Sequence, residues 1–159
     1  MSEYNFTTQW YFNHPVERVW EEIRLMDHWP EWWKYVRHVE KIRDGSKDEI
    51  GSVRRIQWST ALPYKITFDS ELIALDYPRR MEGKAFGDLT GTGVWTFEPN
   101  AKGTHVRYDW KVKITKKWMN ALEPILKPVY KWNHDKVMKS GYEGLVQRLA
   151  LQSDDRLKT

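Results

Sequence analysis

The sequence predicts an α+β fold in which a seven-stranded, curved antiparallel sheet wraps a long C-terminal helix, with two short helices after the first strand. Three observations carry this prediction. Apolar and polar side chains alternate with a two-residue period over most of residues 4–115, and turn-forming clusters interrupt the alternation. After Thr115 the apolar period changes to that of a helix.

The first strand holds Tyr4, Phe6, Thr8, Trp10 and Phe12 on one face. Asn13-His14-Pro15 ends it, with Asn13 able to cap and Pro15 to open a helix whose apolar positions are Val16, Val19, Trp20 and Ile23. Residues 27–35, with Trp29, Pro30, Trp32 and Trp33, form the second short helix. Six strands are then expected near 36–43, 50–59, 63–75, 79–88, 91–98 and 104–115. Asp44-Gly45-Ser46, Leu62-Pro63, Asp76-Tyr77-Pro78, Asp88-Leu89-Thr90-Gly91 and Asn100-Ala101-Lys102-Gly103 separate them, so consecutive strands should pair as hairpins. In the last strand Val106, Tyr108, Trp110, Val112 and Ile114 face inward, and His105, Arg107, Asp109, Lys111 and Lys113 face water. Trp118, Leu122, Ile125, Val129 and Trp132, then Val137, Gly141, Leu145 and Leu149, mark the helical face that follows. Pro124 and Pro128 each lack a backbone donor, so an irregular piece near 117–124 should precede a helix over about 125–151.

At 159 residues the chain has the length of one domain, read as residues 1–152 with a flexible tail at 153–159. Cysteine is absent, which excludes thiol nucleophiles, thiolate metal sites and disulfides. The N-terminus lacks the features of a signal peptide and no apolar run is long enough to span a bilayer, so a cytoplasmic location is expected. The net charge of +4 comes from basic residues interspersed with acids, which argues against nucleic acid as a partner. Arg79-Arg80 and the group Lys111, Lys113, Lys116 and Lys117 leave a case for contact with an acidic membrane surface.

Four segments are distinctive: Pro15-Val16-Glu17-Arg18-Val19-Trp20, Leu62-Pro63-Tyr64, Gly87 to Trp95, and Trp132 to Met138. With the order of elements over residues 4–150, they make the chain resemble the START-like, or SRPBCC, helix-grip superfamily and its polyketide cyclase/dehydrase-type subgroup. That resemblance implies a hydrophobic cavity between the sheet and the C-terminal helix, used for lipids, hormones, quinones or aromatic polyketides. It carries no shared catalytic motif.

The residues point to a cavity independently. Ten Trp, eight Tyr and five Phe supply broad apolar walls with a few polar tips. The expected inner wall comprises Phe6, Trp10, Tyr64, Phe68, Met81, Trp95, Phe97, Tyr108 and Trp110 from the sheet, with Val129, Asn133 and Val137 from the helix. A mostly apolar cavity of at least about 300 Å³ is the expectation. His134, between Asn133 and Asp135, is the candidate general acid or base. Arg55 is the candidate for holding a ligand oxygen, although strand parity sets it opposite Ile56 and Trp58, the more apolar face.

His14, His28, His38, His105 and His134 lack metal-ligand spacing, and neither a phosphate loop nor a nucleophile elbow is present. No metal and no cofactor are expected. Three classes of function stay open: a carrier of a small hydrophobic molecule, a cyclase or dehydratase acting on an aromatic or polyketide-like substrate, and an interaction module with a filled interior.

Overall fold

A computed structural model describes residues 3–158, with side chains described through Gln152. The strands are β1 (Glu3–Phe12), β2 (Val36–Arg43), β3 (Val53–Ser59), β4 (Lys65–Asp76), β5 (Arg80–Gly87), β6 (Leu89–Asn100) and β7 (Gly103–Ile114). Helices α1 (Val16–Arg24) and α2 (Trp29–Trp32) follow β1, joined by a 3-10 turn at Met26–His28, and α3 (Lys117–Ala121) and α4 (Glu123–Lys158) follow β7. All seven strands form one antiparallel sheet in the order β1-β7-β6-β5-β4-β3-β2. Strands β2 to β7 are a meander of hairpins, as their turn residues predict. The segment α1 to α2 carries the chain from one edge strand, β1, to the other, β2.

The β6–β7 hairpin shows how the turn sequence does its work. Asn100 Oδ1 accepts the Lys102 N–H at 2.9 Å, and Gly103 adopts φ +149°, where a side chain would also run into the Phe12 carbonyl. Close to this turn, Val19, Trp20, Ile23, Phe97 and Val106 are buried together. Trp33 lies against α4, its indole N–H donating to the Val137 carbonyl at 2.9 Å. Gly141 and Gly144 of α4 make that approach possible, because a Cβ at either would collide with Trp33 or with the Trp32 backbone.

The helices differ from expectation in three ways. Pro15 itself takes the capping position of α1 in extended conformation and no side chain caps it, so Asn13 does not play that part. Helix α4 begins two residues earlier than expected and continues to Lys158, whereas the sequence places its end near residue 151. The inward face of the helical segment agrees with expectation from Asn133 onward and differs before it. Tyr130, Asn133, Met138, Leu145 and Leu149 are buried, while Trp118, Leu122, Ile125 and Trp132 are exposed.

Candidate functional site

Two chambers lie on the inner face of the sheet, the first beneath α4 and the second beneath the segment that runs from the end of α1 to α2. The first, about 120 Å³, is bounded by Phe6, Tyr64, Ile66 and Phe68 on the sheet side and by Tyr130, Asn133, His134, Val137 and Met138 of α4. The second, about 220 Å³, lies between β3 to β6 and the segment Ile23 to Trp29, with Ile56, Leu72, Met81 and Ala85 on the sheet side and no residue of α4 in its wall. Neither chamber alone reaches the size expected from the sequence, because aromatic side chains occupy the space between them.

Six aromatic residues line both chambers: Trp29, Trp58, Phe68, Trp95, Tyr108 and Trp110. Their rings touch in a closed circuit. Trp29 meets Trp58 at 6.3 Å between centroids, Trp58 meets Phe68 at 6.2 Å, and Phe68 meets Trp110 at 5.6 Å. Trp110 meets Tyr108 at 5.8 Å, Tyr108 stacks on Trp95 at 4.0 Å, and Trp95 returns to Trp29 at 6.4 Å. The result is an aromatic collar between two rooms. Strand register builds most of it: Trp95 pairs with Tyr108 across β6 and β7, and Gly93 pairs with Trp110. A side chain at Gly93 would meet the Tyr108 hydroxyl and the Trp110 ring, so its absence gives both rings their place.

Polar groups are few. His134 stacks on Phe6 with ring centroids 3.8 Å apart and planes 12° from parallel, and its side chain is 14% exposed. Neither ring nitrogen has a hydrogen-bond partner, and Asp135 Oδ1, 3.6 Å from Nδ1, lies beyond hydrogen-bond reach. Burial pushes the imidazole pKa down to about 4 against the opposing pull of Asp135, so the ring is neutral at neutral pH. Burial likewise raises the Tyr108 phenol well above its ordinary value, and raises Tyr64 to about 12 with help from Tyr130. Asn133 Oδ1 accepts the Ala61 N–H at 2.8 Å, tying the β3–β4 loop to α4 over the first chamber.

Not every expected wall residue reaches a chamber. Trp10 and Phe97 are buried in the core, Trp10 against Phe12, Trp33 and Trp95, and Phe97 against Trp20. Val129 lines neither chamber, whereas Tyr130 beside it does, together with the expected Asn133 and Val137. Arg55 points away from the interior and forms a two-pronged pair with Asp69 on the outer face, at 2.8 and 3.1 Å. The inward arginine is its neighbour. Arg54 shares the face of Ile56 and Trp58 and sits at the rim of the second chamber, bonded to both Asp27 carboxylate oxygens at 3.2 Å and paired with Glu49 at 3.5 Å. Burial opposes its charge, but the two carboxylates outweigh it and the guanidinium pKa is raised. The signal for Arg54 was its parity with Ile56 and Trp58.

Tyr4 also belongs to the first chamber, where burial, and then the neighbouring Glu123 carboxylate, raise its phenol. Among the described residues no cluster of His, Asp and Glu is arranged to hold a metal ion.

The fold and interior define a helix-grip domain of START-like type with an aromatic-lined pocket. The sequence profile of the family described as polyketide cyclase / dehydrase and lipid transport matches residues 4–152, and the chain belongs to that family. Among curated proteins none matches the sequence. Among solved structures, TTHA0849 from Thermus thermophilus is similar with a TM-score of 0.77 at 21% identity, over 96% of this chain and 99% of that one. A START superfamily protein from Mycobacterium smegmatis gives 0.73 at 11% identity, over 94% and 98%. The di-domain ARO/CYC protein StfQ of the steffimycin biosynthetic pathway gives 0.66 at 17% identity, with 93% of this chain covering 52% of it. At these identities the likeness is one of fold.

Proposed function

We propose that residues 1–152 form a binding unit for a small, mostly apolar molecule held between the sheet and α4. The observation that carries this reading is the pair of chambers that share the aromatic collar as a common wall, the first of them between the sheet and α4, space that a core built only for stability would fill. The family description, which includes lipid transport, supports the same reading. The test is solvent extraction of the purified protein followed by mass spectrometry, with saturable binding of an apolar fluorescent probe as a second arm. A copurifying apolar molecule or saturable probe binding is expected. Absence of both overturns the proposal.

One observation favours a second reading, a cyclase or dehydratase. A neutral His134 with two unpartnered ring nitrogens lines the same chamber as Tyr108. Such a ring can take a proton from a substrate carbon or hydroxyl and return it to a leaving oxygen. The ARO/CYC likeness fits this reading as well. His134→Ala would then lower turnover of a polyketide-like substrate by about 10² to 10⁴. For a carrier, the same change alters affinity only modestly.

A further inference from the structure

The segment that walls the first chamber is apolar on both sides. Met119 of α3 and Tyr130, Asn133 and Val137 of α4 face the chamber. On the opposite face Trp118, Leu122, Ile125 and Trp132 recur at steps of four, three and seven residues and are 41, 42, 76 and 48% exposed. Nothing among the described residues covers this stripe. Trp118 is also in edge contact with Tyr64, a wall residue of the first chamber, so the stripe borders the pocket.

Charge is concentrated in the same place. Residues 111–139 contain eight lysines and two acids, out of 26 basic and 22 acidic residues in the whole chain, so the remainder has 18 basic against 20 acidic. The entire positive excess therefore lies around the apolar stripe, and one of its two acids, Glu123, is buried. Lys111 and Lys116 have ion-pair partners, Glu3 and Asp88. Lys113, Lys117, Lys127, Lys131, Lys136 and Lys139 pair with no described carboxylate.

We propose that this face docks on an anionic bilayer, placing the wall of the first chamber against the membrane from which the ligand is taken or to which it is given. Tryptophan and aliphatic side chains flanked by unpaired cations are the composition of a segment lying in a headgroup layer, where the rings settle at the interface and each lysine gains from the surface potential. A protein partner fits less well, because protein interfaces favour arginine over lysine and no arginine occurs between Arg107 and Arg148. Lys136 already lies over the Trp132 ring at 5.3 Å, an arrangement that can keep the indole at the headgroup level with its cation toward the phosphates. This proposal builds on the binding reading by naming the partner of the same site.

The experiment is cosedimentation of the full chain with vesicles of phosphatidylglycerol and phosphatidylcholine, or of phosphatidylcholine alone, at low and high salt. Binding to the anionic vesicles is expected, weakened at least about tenfold by phosphatidylcholine alone, by high salt, by Leu122→Asp with Ile125→Asp, or by Lys117→Glu with Lys131→Glu. These positions are exposed, and unchanged circular dichroism and melting would show that the variants fold. No binding to anionic vesicles at low salt, or equal binding by the variants, overturns the proposal. So does a self-association that Leu122→Asp with Ile125→Asp abolishes, or a stripe that takes an acidic protein but no vesicle. Probe binding in the chambers is measured on the same samples. Loss of vesicle binding with probe binding intact removes only the docking surface, and the reverse result removes only the binding reading.

Discussion

At the scale of single residues, His134 has the most consequential surroundings. Its ring is stacked on Phe6 and cut off from hydrogen-bond partners, so the fold holds it neutral. The sign of the pH effect follows. Between the usual value of 6.5 and about 4 the unfolded chain binds a proton that the folded chain refuses, so stability falls as pH drops through that window and is unaffected by this group above it. Urea unfolding at a series of pH values should show the natural chain losing on the order of 2 kcal/mol more than His134→Phe between neutral pH and pH 4. Parallel profiles would mean that the ring reaches solvent or finds a partner. Phenylalanine keeps the stack on Phe6, which isolates the titration from the packing.

At the scale of elements, α4 depends on what it lacks. Gly144 lies directly under the Trp32 carbonyl, and Gly141 under the Trp33 indole. Alanine at an exposed helical glycine would add about 1 kcal/mol of stability. Here Gly144→Ala should instead cost about 1 to 3 kcal/mol, because α2 must move away and Trp33 loses its seat. A chemical-denaturation midpoint that rises on this substitution would show that α2 is less closely held than its position implies.

The same helix explains what could and could not be read beforehand. The sheet was legible because β7 alternates so regularly and turn residues stand between its neighbours. The phase of the helical segment was legible from Asn133 onward, where Asn133, Val137, Leu145 and Leu149 face inward as expected. It was not legible before that point, because Trp118, Leu122, Ile125 and Trp132 satisfy helical spacing as well as the true inner positions Met119 and Tyr130. Hydropathy alone chooses the greasier stripe, and here that stripe faces outward. For β3 the relevant information was present in parity: Arg54 had to share a side with Ile56 and Trp58, and its charge is tolerated inside because Asp27 and Glu49 converge on it from the 3-10 turn and the β2–β3 loop. Trp29 and Trp33 were legible as part of the second short helix, but nothing in their local sequence indicated that Trp29 would complete a ring with residues from four strands.

At the scale of the whole molecule, the proposed binding function would make the collar turn a continuous property of a ligand, its length, into a threshold. A short guest can occupy one room without disturbing the rings. A longer one must thread the constriction, so either the aromatic side chains turn together or the guest is slender at its middle. If the admitting arrangement is a minor state, affinity for long guests is reduced by the fraction of time the constriction is open. Dissociation constants for a homologous series of straight-chain fatty acids should therefore show a break at one chain length instead of a uniform gain per methylene of about 0.8 kcal/mol. Tyr108→Ala should shift or erase the break, with little change for the shortest members. A smooth series in both proteins would mean that the two rooms act as one. A guest branched at mid-length should be rejected however apolar it is, so the natural molecule would be selected by its narrowest cross-section before its chemistry is read.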